Sequence, residues 1–190
     1  MEKNIYLKFT GFSGFLLPIL SLFVFLISLY YSPWFNITDN AISDFGLPDW
    51  AGNFFNYGIM IIGLLLFVFT IGLLKLFYRY RAQIIMIMLS SIFLIFVGVF
   101  PLPSNLHIYV SGMFFVAFPI GFFTLGYSLY KKKIGFYKKM GFIALINSFI
   151  AIISLIPLLI FSGIAISEIM IIIPGFFWCM IFGLFIIRVK

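Results

Sequence analysis

The chain has 190 residues, of which 64% are hydrophobic and only 9% charged, with a net charge of +7. A soluble domain carries about a quarter charged residues, so the composition excludes a water-soluble globule and requires surface that faces lipid. One cysteine and one histidine leave no disulfide framework, no multi-histidine zinc site and no bis-histidine haem; neither cofactor nor metal is expected.

Apolar stretches long enough to cross a ~30 Å hydrocarbon layer recur along the chain. They predict an all-α, polytopic membrane domain over 1–190 with six transmembrane helices at about 11–32, 52–76, 83–100, 107–130, 141–161 and 168–187. Helices are required because a backbone exposed to lipid must satisfy its own hydrogen bonds. The first apolar stretch is too long for the core of a cleaved signal, and Tyr30, Tyr31, Pro33 and Trp34 follow it where a small-residue cleavage site would stand; it reads as a retained span. Pro18, Pro119, Pro157 and Pro174 fall within or near the ends of spans and predict kinks.

The basic residues fix an orientation. Lys3 and Lys8 precede span 1, and Lys75, Arg79 and Arg81 join spans 2 and 3. Lys131, Lys132, Lys133, Lys138 and Lys139 join spans 4 and 5, and Arg188 and Lys190 end the sequence. All twelve fall on one side, which the positive-inside rule makes cytoplasmic, with both termini inside. The charge is thus divided among short loops at headgroup level, which accounts for it without nucleic acid as a partner. Membrane lipids and other membrane subunits, or a second copy of the chain, are the expected partners. Small residues mark expected helix contacts: Gly175, Cys179 and Gly183 form a stripe in span 6, and Ala117 and Gly121 a shorter one in span 4.

Polar residues concentrate at the other end. NITDNAISDFG, residues 36–46, lies in the one long connection, 33–51, and long loops are commonly functional or carry their own structure. Thr38 is suited to N-cap a short interfacial helix, with Asp39 in its first turn and Gly46 at its end; Ile42 and Phe45 would press it onto the bundle. Asn40, Ser43 and Asp44 from this loop, Asn53 and Asn56 from span 2, His107 and Ser111 from span 4, and Glu168 from span 6 converge on one depth and define a candidate outer-leaflet pocket. Asp49 reads as the N-cap of span 2, and the helix dipole accounts for Glu168. Asp44 is expected to pair with His107 or Asn56; an Asp–His pair is also the one candidate here for acid–base catalysis. Asn36-Ile-Thr38 matches a glycosylation sequon.

Asn40-Ala41-Ile42-Ser43-Asp44-Phe45-Gly46, followed by Asn56 with Gly58, and by Phe100-Pro101 before His107, resembles the signature of domain-of-unknown-function family 998. That family comprises six-span prokaryotic membrane proteins. The resemblance runs over roughly 10–188 and departs from the pattern at Phe45, where leucine is expected. It implies the six-span topology and a prokaryotic plasma-membrane location, marks Asp44 and His107, and implies no activity. The Ser-Asp motif and hairpin order are more faintly similar to the FGF-receptor-activating and autophagy-modulator membrane family.

Three functions follow in order. An accessory or scaffolding subunit of a larger membrane complex comes first, since no catalytic machinery is recognisable. A lipid-binding or lipid-modifying protein using the polar pocket around Asp44 and His107 is the alternative. A small-solute transporter comes third, because no charged residue falls in mid-span, where coupled transporters carry theirs.

Overall fold

A computed structural model describes residues 2–188; Lys190 of the basic set lies outside them. Six helices are long and apolar enough to span a membrane: α1 (Glu2–Tyr31), α2 (Trp50–Leu76), α3 (Arg81–Val99), α4 (Asn105–Lys132), α5 (Gly135–Ile153) continued by the short α6 (Pro157–Ile160), and α7 (Ala165–Arg188). The protein is a multi-pass, all-helical membrane protein.

The predicted fifth span, 141–161, is not one helix. Pro157 has no N–H to give the helix, and its ring crowds the preceding turn. The backbone accordingly breaks after Ile153 and restarts with Pro157 in the first turn of α6. The first helix is longer than predicted, starting at Glu2, nine residues before the expected 11, and ending at Tyr31. The bounds of α2, α3, α4 and α7 lie within three residues of the predicted ones, α7 starting at Ala165 rather than 168.

Each helix packs on its neighbour in sequence, α5 packs on α7, and α7 returns to α1, closing a ring. The centre is aromatic. Trp178 stacks on Phe182 with centroids 4.8 Å apart and meets Phe122 edge-on at 5.1 Å. Its indole N–H, which would be costly to bury unpaired, donates to the Met140 carbonyl of α5 at 2.7 Å.

Lipid tails give helices no hydrophobic reason to associate, so close backbone approach matters. At the basic end α1 and α7 nearly touch. A Cβ on Gly183 would lie 2.5 Å from the Gly11 carbonyl oxygen, and one on Gly14 would lie 2.8 Å from the carbonyl of Cys179. The α7 stripe is thus divided between partners: Gly183 and Cys179 meet α1, while Gly175 lies under the ring of Phe118 on α4. In α4, Gly121 faces Ile87 of α3, and Ala117 is buried. Consecutive residues of α5 fasten two proline-bearing helices: Asn147 donates to the Pro174 carbonyl at 3.0 Å and Ser148 to the Pro119 carbonyl at 3.1 Å.

Candidate functional site

Residues 36–46 are folded back on themselves and then clasped from two sides. Asn36 begins a local turn: its side-chain oxygen accepts from the Thr38 N–H at 3.1 Å and its amide donates to Asp39 Oδ2 at 2.5 Å. Thr38 therefore does not cap a helix. The expected helix over 38–45 is a shorter 3-10 turn, Ile42–Gly46, with Ala41 at its N-cap. Asp44 explains the difference. Its Oδ2 accepts from the Ala41 N–H at 2.9 Å and from Asn40 Nδ2 at 3.2 Å, satisfying a donor that a tight turn would leave free.

The α7 side of the clasp comes from the linker before that helix. Gly163 N–H donates to the Thr38 carbonyl at 2.8 Å, and the N–H groups of Ile164 and Ala165 both donate to the Asn40 carbonyl, at 3.1 and 3.0 Å. Ser162 adds its hydroxyl to Asp39 Oδ1 at 2.9 Å. The approach is close enough that a Cβ at Gly163 would collide with the backbone of Asp39 and Asn40. Glu168, 5% exposed, then receives the Ile42 N–H on Oε2 at 2.6 Å. Its role is this long-range bond, beyond what the helix dipole accounts for. On the α2 side, Asn56 Nδ2 donates to the Gly46 carbonyl at 3.0 Å, and Asp49 caps the helix by accepting from the Gly52 N–H at 2.5 Å.

Apolar side chains press the loop down as expected. Phe45 is 2% exposed, stacked on Phe35 at 4.2 Å and in contact with Phe25 and Phe55.

The polar pocket, however, is only partly assembled. Asn40, Asp44, Asn56 and Glu168 join the clasp. Ser43 is half-buried and makes no side-chain hydrogen bond among the described residues, and Asn53 is exposed. Ser111 donates back to the Ile108 carbonyl of its own helix. His107 and Asp44 do not pair. His107 Nδ1 lies 2.9 Å from the Phe100 carbonyl; a carbonyl only accepts, so Nδ1 carries a proton, while Nε2 is buried without a partner. Each member of the expected pair is spent on backbone within seven residues. Among the described residues no cluster of His, Cys, Asp or Glu is arranged to hold a metal.

What lies beneath the loop is apolar. A cavity of about 240 Å³ is lined by Pro18, Ser21, Leu22, Val24 and Phe25 of α1, by Phe55, Ile59 and Ile62 of α2, by Leu94 of α3, and by five residues of α7 from Ile169 to Phe177. Ile42 of the clasped turn also lines it. The one polar side chain, Ser21, already donates to the Leu17 carbonyl. Val24, Phe55, Ile62, Leu94 and Phe176 form a buried inner wall, whereas Leu22, Ile173 and Phe177 are about half exposed. The cavity thus runs from the outside of the bundle, through the seam between α1 and α7, into its interior. The cause is in the helix surfaces. Glycines hold α1 and α7 together at the basic end; towards the loop end large side chains replace them, beginning near Pro18 and Pro174.

Fold and site together define a multi-pass membrane protein with a clasped polar loop over an apolar, laterally open cavity. The chain belongs to the DUF998 family, described as proteins of unknown function; the family model matches residues 15–184. No curated protein and no solved structure matches the chain.

Proposed function

We propose that this protein binds a membrane lipid, holding an apolar chain in the cavity between α1 and α7 beneath the clasped loop. The observation that carries this reading is the cavity itself. It is dry by chemistry, since apolar cavities give water too few partners, and its seam faces the lipid, so a hydrocarbon chain can enter sideways without crossing water. This favours the lipid-binding alternative over an accessory subunit, with the apolar cavity in place of an Asp44–His107 pocket. Lipid modification would need a reactive group at the cavity, and the clasp commits Asp44 elsewhere.

In this reading the basic end is cytoplasmic, the clasped loop is at the outer face of a prokaryotic plasma membrane, and the lipid enters from the outer leaflet. Cysteines placed at Asp39 or Ser104 should label with an impermeant thiol reagent in sealed cells, and one at Lys132 only after permeabilisation. The opposite pattern would invert the assignment.

Lipid retention tests the function directly. Native mass spectrometry of gently solubilised protein should show one retained lipid per chain. Ile172→Trp, which fills the cavity from α7, should lose it while keeping the thermal stability of the parent. Undiminished retention in the filled variant would move the lipid elsewhere and refute the reading.

A further inference from the structure

The cavity is a slot limited at both ends. Its lining on α1 begins at Pro18, one turn from Gly14, where α1 and α7 already touch through the Cys179 carbonyl. At the loop end the lining includes Ile42, the one lining residue outside the spans. Ile42 is held in place. Its N–H is bonded to Glu168 Oε2 at 2.6 Å, and the Asn40 carbonyl, two residues earlier, accepts from Ile164 and Ala165. Between these limits the lining runs from Pro18 to Phe25 on α1 and from Ile169 to Phe177 on α7. Those stretches cover about 10–12 Å along the helix axes. The open side is the seam, where Leu22, Ile173 and Phe177 are about half exposed.

An apolar cavity of about 150 Å³ holds one benzene, so the slot's volume of about 240 Å³ holds roughly ten carbons. Spread over the slot's length, that is the width of one hydrocarbon chain and not of two. A looped middle of a chain would need both widths, so a chain end is what enters. No polar head can follow it. Ser21 is the one lining side chain with a polar atom, and its hydroxyl is already bonded to Leu17; a head drawn in would lose its water uncompensated. Hydrophobicity does not distinguish one tail from another either, because bilayer and slot are both apolar. What differs is contact with the walls, which a small gap weakens and a clash reverses. Shape therefore decides.

We infer that the slot selects its lipid by the end of one unbranched acyl chain, with Ile42 as the stop at the loop end, and is indifferent to the head. This rests on the chain-binding reading and adds the class of chain to it.

Three probes separate chain from head: dipalmitoyl phosphatidylglycerol, dipalmitoyl phosphatidylcholine, and diphytanoyl phosphatidylcholine, whose chains have the same backbone length but carry methyl branches. Each is titrated into the full chain in neutral detergent and counted by native mass spectrometry. The two dipalmitoyl lipids should bind alike, and the branched lipid about tenfold more weakly, the scale of overpacking one tight site. Ile42→Trp extends the stop into the slot and should weaken both dipalmitoyl lipids equally, several-fold. Ile42→Ala withdraws it and should narrow the gap between branched and straight chains. Branched chains bound as well as or better than straight ones, or a several-fold preference for either head, would overturn this inference. The chain reading would then stand if Ile172→Trp still abolished retention. Binding of none of the three would overturn both. If a variant fails to fold, the comparison within the parent protein decides alone.

Discussion

Gly183→Leu should strongly destabilise the bundle. The Cβ alone would press on the backbone of α1, 2.5 Å from the Gly11 oxygen and 2.9 Å from the Phe15 nitrogen, and backbone cannot rotate out of the way as a side chain can. Overpacking a tight site costs about 1–3 kcal/mol, and a whole isobutyl group at a helix–helix contact belongs at or above the upper end. Gly112→Leu is the control, because nothing lies within 4 Å of a Cβ there. Thermal unfolding in detergent should show a large fall in midpoint for the first and almost none for the second. Similar midpoints would mean that α1 and α7 are not held by this contact.

The second large effect is expected at Glu168. Replacing it with alanine orphans the buried Ile42 N–H, a loss of about 1–3 kcal/mol, and releases the clasp where loop, α7 and cavity meet. Hydrogen exchange should therefore be slow at Asp39, Asn40, Ala41, Ile42 and Asp44 in the parent protein, whose amides are all bonded, and should accelerate at Ala41 to Asp44 in Glu168→Ala. Asp44→Asn should do much less, since an asparagine oxygen still accepts from Ala41. Rapid exchange across 36–46 in the parent would show the loop to be unclasped.

The contrast between these two sites shows what a sequence of this kind displays. The spans were legible because lipid demands long apolar runs. The Gly183–Cys179 contact was legible because small residues every four positions make a stripe on any helix. Its counterpart on α1, Gly11 with Gly14, is not among the predicted contacts, although the three-residue spacing is the same kind of signal. Phe45 pressing onto the bundle followed from its place among polar neighbours. The Glu168–Ile42 bond did not, because a backbone donor 126 residues away leaves no mark in composition or spacing. The short turn replaced the expected helix for a local reason: Asp44 at its third position satisfies Ala41, so Thr38 is not needed as a cap. Asp44 and His107 looked like partners because they share a depth, yet depth fixes neither azimuth nor competition from nearby carbonyls such as that of Phe100. The cavity was the least legible feature. Its lining is drawn from α1, α2, α3, α7 and the clasped turn, residues far apart in the sequence that no local pattern brings together.

The central claim is that a lipid chain occupies that space. The most direct measurement is photolabelling of the membrane-embedded protein with a lipid carrying a diazirine part-way along its acyl chain, with adducts mapped by mass spectrometry. Val24, Phe55, Ile62, Leu94 and Phe176 are each 5% exposed or less, so bulk lipid cannot reach them. Adducts concentrated on these residues, and lost in Ile172→Trp, are the result expected if the chain enters between α1 and α7. Adducts confined to residues that already face lipid, such as Ile152, Leu159 and Phe149, would contradict it.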